Sequence, residues 1–581
     1  MSRTIPLAQY LFSRLHQLGC YSIHGVPGDF TLRALDHLRA SKVKWIGNAS
    51  ELCAGYAADG YARSAAMARK SLSTTSPRVG ALFVTYGVGE LSAINALAGA
   101  YAESVPVVQL VGTPSRKAWR SRPILHHTMA DGRLGVYADI AKHVTCAQAD
   151  LSCDDVEEAI ERYDETLVQC VQRSKPVYVN VPIDMVEKPV PSKLLHRPLP
   201  LEPVRDKAVM NEEDRVVQDI LKRIMASEKP LIIADGLSYS WDLVDEANEI
   251  VHLTGIPSMC FSAGKGVIDE HHPSWLGPLT TSTDYSRSAD LVLLFGPLLS
   301  NTNTAAWTVV PDPGISVSIN LDNVNICGQV FSVRGKYVLQ KLVERLKAQP
   351  LGQRWNLDRH DRNGSLRAER SPSPSSPISQ DALWERMSTW LRPHDTYLLA
   401  NGTPLVGGRS IAIPSPTQVV ASGIWCSIGS MLPCAQGIAL AKRDHNIPGR
   451  SIIYEGDGSL QVTCQSISDI IRYKLDVTIV VCNNAGYTYE RYLHGMREEY
   501  NDVPVWSYAD APAFFGAKPG NDYRTMSTKV ETWGELNDVL GDENFADGQG
   551  LKIIDIVMDP EDMPSSAKAG LKRASEALRL P

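Results

Sequence analysis

Two short stretches, Gly456-Asp457-Gly458-Ser459 and Asn483-Asn484-Ala485-Gly486, hold the residue types that suit a divalent cation bridging a diphosphate. Asp457 offers a carboxylate, Asn484 an amide oxygen and Gly486 a main-chain carbonyl. These are hard oxygen donors, few enough for magnesium to keep part of its shell for phosphate oxygens and water. Gly456 and Gly458 let the backbone approach an anion closely, Ser459 adds a hydroxyl, and N–H groups opening a following helix can hold negative charge. Either tetrapeptide alone reads as an ordinary turn. The pair, at this spacing, reads as a metal–diphosphate site.

The surrounding residues must place both loops together. They parse as a strand ending at Glu455, a turn over Gly456 to Ser459, a helix from about Leu460 to Tyr473, and a second strand from Val477 to Cys482. A right-handed strand–helix–strand crossover brings both loops to one carboxyl edge of a parallel sheet. The same alternation recurs along the chain, with apolar runs at ALFV (81–84), VPVVQLV (105–111), LIIA (231–234), LVLLF (291–295), SIIY (451–454) and KIIDIV (552–557). Near-continuous apolar strands between helices predict an α/β fold of mostly parallel sheets flanked by helices on both faces. Two proline- or serine-rich stretches, from about Glu187 to Asp206 and from Ser371 to Gln380, read as linkers. They leave three domain-sized segments.

The composition excludes several classes. The net charge of −7 arises from 58 basic and 65 acidic residues, which gives no basic face for nucleic acid. No apolar run reaches the length of a membrane helix, and the opening MSRTIPLAQYLF lacks a secretory pattern. The eleven cysteines are scattered, with no CxxC pair, as in a reducing, cytoplasmic setting. No GxxxxGK[ST] supports a P-loop, and GVGEL (87–91) is only half a dinucleotide fingerprint.

GDG followed after 24 residues by NN resembles the signature of thiamine-diphosphate enzymes, and the similarity extends over nearly the whole chain to the fungal-type pyruvate decarboxylase group. HGVPGDF (24–30), NASELCAGYAADGYAR (48–63), YGVGELSAINALAGAYAE (86–103), LHHT (125–128), GKGVIDEHHPSWLG (264–277) and WCSIGSMLP (425–433) look like its motifs in order. The resemblance implies a pyrimidine-binding domain over 1–186, a middle domain over 207–350, a diphosphate-binding domain over 378–565 and a C-terminal helical tail over 566–581. It implies thiamine diphosphate and Mg2+ as cofactors. It also implies a homodimer or homotetramer whose active sites lie between the pyrimidine domain of one subunit and the diphosphate domain of another. The activity implied is non-oxidative decarboxylation of a small 2-oxo acid to an aldehyde and carbon dioxide through a cofactor enamine.

Residue by residue, Glu51 matches the acid that faces the aminopyrimidine, although its own surroundings, Asn48-x-x-Glu51, read as a capping box. Ile428 matches the aliphatic side chain under the bent cofactor, and the carbonyl of Cys426 and the Gly402-Thr403 pair match further cofactor contacts. Asp457, Asn484 and Gly486 match the metal ligands, with Gly456, Gly458 and Ser459 about the diphosphate. Asp29, His126, His127 and Glu490 match the four groups that manage protons at the reacting centre, Asp29 pairing with His127. Read in isolation, Asp29 is a turn residue after Pro27-Gly28 and the histidines are a loop pair.

Several substrate-facing positions depart from the pyruvate-specific pattern. Tyr489 stands where an aliphatic residue is usual, Asn401 and Leu405 replace smaller ones, and Thr302 replaces an aromatic residue. Leu237 and Ser238 occupy positions where some yeast enzymes carry adjacent cysteines linked to substrate activation, so that regulation is not expected. A carboligase making an acyloin from the same cofactor chemistry is the alternative, and a silent cofactor-binding homologue a third reading.

Overall fold

The computed structural model describes residues 3–70, 73, 75, 76, 78–279, 283–352, 354, 355, 372–518, 522–565, 567, 568 and 571. Three sheets organise them. The first, of six parallel strands, runs Lys44–Gly47, Ser22–Gly25, Gly80–Thr85, Val107–Thr113, Val177–Pro182, Ala147–Asp150 in spatial order. The second has a parallel body built around Pro230–Ala234 and Leu291–Phe295 and ends in an antiparallel hairpin, Val324–Ile326 with Gln329–Phe331. The third, again of six parallel strands, runs Gln418–Ala421, Thr396–Leu399, Ser451–Gly456, Val477–Asn483, Leu551–Val557, Thr525–Val530. Every apolar run singled out in the sequence forms a strand, because helices cover both faces and leave no polar side to alternate with. Val107–Thr113, for example, is buried at each residue.

Sheet order, more than strand position, needed the structure. The proline-rich stretch after Glu187 is also more than a linker: Pro189–Pro191 pairs antiparallel with Thr4–Pro6, tying the chain start to the end of the first sheet. In the second stretch, Ser371 lies outside the described residues, and a helix begins at Gln380. The expected tail over 566–581 lies almost wholly outside them; Ala567 and Leu571, with Met563, pack on Val406, Tyr489 and Leu493.

The first and third sheets are locked together by two helices, Glu51–Arg63 and Met431–His445. Their surfaces are alanine- and glycine-rich, so the backbones touch. A Cβ on Gly60 would stand 2.1 Å from the Cys434 carbonyl oxygen, and one on Gly437 1.9 Å from that of Ala57. Asn48 adds a polar clasp, its amide donating to Gln436 (3.1 Å) and Asp469 (3.2 Å) while its oxygen accepts from the Gly25 N–H (3.3 Å). It is therefore no helix cap. That role belongs to Ser50, whose hydroxyl accepts from the Cys53 N–H at 3.3 Å.

The turn from Gly80–Thr85 into the helix Val88–Ala102 passes through Gly87, with φ +69°, and is closed by Glu90. The buried Glu90 carboxyl accepts from the Gly87 N–H at 2.8 Å and from the Tyr178 hydroxyl at 3.0 Å, and burial pushes its pKa up to about 7. Between the ordinary value of 4.5 and about 7 the folded state thus retains a proton that the unfolded chain releases. Stability falls as pH rises through that window. Glu90→Gln removes this term, so urea midpoints measured from pH 5 to 8 should decline less in the variant than in the parent; parallel curves would contradict the assignment.

Candidate active site

The carboxyl edge of the third sheet carries the two loops read as a metal–diphosphate site, and the structure brings them together. The strand Ser451–Gly456 leads straight into a helix, Asp457–Thr463, three residues earlier than the sequence suggested, and a break at Cys464 and Gln465 separates it from the helix Ser466–Arg472. Asp457 is therefore the first helical residue. Its carboxylate ties the loops: Oδ1 accepts from the Gly458 N–H (2.7 Å) and Oδ2 from the Gly486 N–H (3.0 Å). Burial raises its pKa to about 6, with the Gly458, Gly486, Asn484 and Ala485 amides opposing the rise. Asn484 is buried beside it, and Gly486 takes φ +148°.

A cleft opens above this turn, lined by Asn401, Gly402, Thr403, Cys426, Ile428, Tyr487, Tyr489 and Glu490. Ser459 receives the Gly429 N–H on its hydroxyl at 2.8 Å, which draws the loop carrying Cys426 and Ile428 to the diphosphate turn. Cys426 holds φ +50°, a left-handed conformation that aims its backbone at the cleft wall. Asn401 donates to the Ser427 carbonyl at 3.0 Å, while its own amide oxygen is buried without a partner. The residues fit a bound diphosphate cofactor and its metal. Asp457, Asn484 and Gly486 line the same cleft, and a Cβ at Gly402 or Gly456 would meet no protein atom closer than 3.9 Å or 4.0 Å, so each glycine leaves room there.

Glu490 stands at the exposed rim, where the adjoining walls still push its pKa upward by desolvation. Among the substrate-facing departures, Leu405 is buried and the Thr302 hydroxyl donates to the Gly423 carbonyl at 2.7 Å, which fixes it to the cofactor loop.

A second group of predicted residues lies elsewhere. His126 Nε2 is 2.7 Å from Asp29 Oδ2, and the imidazole stacks on Phe30 at 5.2 Å. Asp29 thus pairs with His126, not with His127 as the resemblance implied. His127 holds φ +63°, its carbonyl accepts from the Tyr137 hydroxyl at 3.0 Å, and its ring meets that of His126 edge-on at 4.7 Å. Its ring nitrogen still lies within 4.8 Å of the Asp29 carboxylate, so the three side chains form one cluster. Glu51 opens its helix and reaches toward Gly89, where an added Cβ would lie 3.2 Å from Oε1. Asp29, Glu51, His126 and His127 all belong to the first sheet's layer, and none lines the cleft of the same chain.

Sequence reasoning missed three residues. Glu103 holds the cofactor loop from the first domain: its Oε1 accepts from the Ser422 hydroxyl (2.5 Å) and from the N–H groups of Gly423, Ile424 and Trp425 (3.1, 3.2 and 3.2 Å). Glu455, wholly buried before Gly456, has its pKa pushed up to about 8 by burial. Arg409 is buried in the cleft wall. Of these, Glu455 alone carried a signal, as a charged residue inside an apolar strand.

Gly486→Ala tests the loop. The new Cβ would stand 2.2 Å from the Asn501 carbonyl oxygen in a backbone conformation that disfavours side chains. It should destabilise the protein by about 1–3 kcal/mol, read as a lowered Tm; an unchanged Tm would contradict the close approach.

Comparison with known proteins places three family descriptions on the chain. Thiamine pyrophosphate enzyme, N-terminal TPP binding domain, matches residues 5–133; the central domain matches 217–336; and the C-terminal TPP binding domain matches 403–529. Pyruvate decarboxylase of Aspergillus parasiticus is 40% identical, over 97% of this chain and 96% of its own. Pyruvate decarboxylase of Aspergillus fumigatus is 34% identical over 99% and 98%. Pyruvate decarboxylase isozyme 1 of Saccharomyces cerevisiae is 33% identical over 97% of both chains.

Proposed function

The chain belongs to the thiamine pyrophosphate enzyme family, and on that premise we propose that it decarboxylates a 2-oxo acid to an aldehyde and carbon dioxide, using thiamine diphosphate and Mg2+. The observation that carries the proposal is the pairing of the Asp457–Asn484–Gly486 cradle with a separate Asp29–His126–His127 cluster. One can hold a metal–diphosphate and the other can move protons.

When bound, the cofactor supplies the carbon nucleophile and the electron sink. Asp457, Asn484 and the Gly486 carbonyl would hold the metal, and Ser459 with the glycines about it would face the diphosphate. Ile428 would pack against the cofactor, and the Cys426 carbonyl with Gly402 and Thr403 would contact it. Glu51 would serve as the acid facing the aminopyrimidine ring. Asp29 would orient the His126 imidazole through their hydrogen bond, and His127 lies within reach of both. Glu490, whose pKa burial raises, would hold a proton at the reacting end of the cleft.

The two half-sites meet only if a second copy brings its first domain over the cleft, so the assembly is proposed as a homodimer or homotetramer with sites between subunits. The exposure of Ile424, Trp425, Ile428 and Val88 near these surfaces supports such an association. No described helix is long and apolar enough to cross a membrane, and all eleven cysteines are free, which supports a cytoplasmic location.

Protein loaded with thiamine diphosphate and Mg2+ should release carbon dioxide from at least one 2-oxo acid and yield the aldehyde one carbon shorter; release from none would refute the proposal, and an acyloin product would assign the carboligase outcome. Asp457→Asn should weaken cofactor binding at least about ten-fold, on the order of 1.4 kcal/mol, in a fluorescence-quenching titration. Unchanged affinity would contradict the role of Asp457.

A further inference from the structure

Among the charged residues lining the cleft, Arg409 is the one that the reaction so far leaves idle. It follows the short helix Thr403–Gly408 and reaches the wall formed by Thr302, Cys426 and Tyr489. Only 9% of it is exposed, yet Nε and Nη2 have no hydrogen-bond partner. Asp235 of the middle sheet's layer, the acid whose charge acts on it, is already fully engaged. Both Asp235 oxygens are taken by the Asn303 amide (3.0 and 2.8 Å), Oδ1 also by the Gly236 N–H (2.7 Å) and Oδ2 by the Leu298 N–H (2.6 Å). Burial lowers the Arg409 pKa to about 10, which leaves the guanidinium charged at neutral pH. A buried, charged fork without a partner is costly to keep, and its planar donors match a carboxylate in two-point contact.

That carboxylate is not the one the reaction expels. A fixed cation on the departing group would bind the reactant better than the transition state and slow the loss of carbon dioxide. Arg409 suits a group that keeps its charge throughout. Tyr489, adjacent to Glu490 and lining the cleft together with Arg409, links this wall to the reacting end of the cleft.

We infer that the cleft takes a 2-oxo acid whose side chain ends in a second carboxylate, received by Arg409; the inference rests on the decarboxylase reading above. The reaction balances without an oxidant or reductant. The bond between the first carboxyl and the oxo carbon breaks, the electron pair stays on that carbon and takes up one proton, and the products are carbon dioxide and an aldehyde that retains the distal carboxylate.

The test compares 2-oxoglutarate and 2-oxoadipate with 2-oxopentanoate and 2-oxohexanoate, which match them in chain length, on cofactor-loaded protein. One diacid should exceed its neutral counterpart in kcat/KM by at least about ten-fold, and Arg409→Met should collapse that ratio while Arg409→Lys retains part of it. A binding readout runs beside it. Glutarate, which cannot react, should raise the Tm of the parent and not that of Arg409→Met, and pentanoate should raise neither. Removing an unpartnered buried charge should itself leave the Tm of Arg409→Met unchanged or higher; a lowered Tm would mean that Arg409 pairs within the assembly and would overturn the inference. Release from the neutral acids with no diacid preference overturns this inference alone. Release from no acid overturns it together with the decarboxylase reading.

Discussion

The architecture depends on how closely the helices Glu51–Arg63 and Met431–His445 approach each other. Glycine at 60 and 437 lets backbone meet backbone, and any side chain there would force the sheets apart. Interiors packed this tightly do not slide. Within one chain the first and third sheets are therefore held in a fixed relation, and that relation keeps Glu51, Asp29 and the two histidines away from the cleft above Asp457. Packing sets these two groups of residues apart within one chain, and the proposed chemistry draws on both.

Each half is then built with the means its layer supplies. In the third sheet a single carboxylate, Asp457, gathers two loops through main-chain N–H donors, and Ser459 draws in a third. In the first, Glu103 holds the loop of Cys426 and Ile428 from across the domain boundary. The loop that faces the cofactor thus answers to two domains, and its left-handed residue at Cys426 is kept in place by contacts on both sides. The departures at Tyr489, Leu405 and Thr302, together with Arg409, lie on the same wall.

Much of this was legible in the residues. The apolar runs became strands because both faces are covered, and the paired tetrapeptides marked the sheet edge where they meet. Other features had no local signal. Asn48 reads as a cap because its neighbours fit one, but its amide is claimed by Gln436 and Asp469, hundreds of residues away. That Asp29 bonds to His126 while His127 stands beside the pair is set by the fold around LHHT, which its spacing does not encode. Arg409 looks like any loop arginine until the middle layer closes over it. Long-range burial, in each case, decided what spacing could not.

The division of the site between subunits is the central claim, and subunit complementation measures it directly. Glu51→Gln disables the first-domain half and Glu490→Gln the cleft half, so each variant alone should release little carbon dioxide. In a dimer that mixes them, one site carries both substitutions and the other carries neither. Random mixed assemblies should then recover about a quarter of the parent activity. Mixtures no more active than the two variants alone would place both halves of the site in one chain and contradict the account.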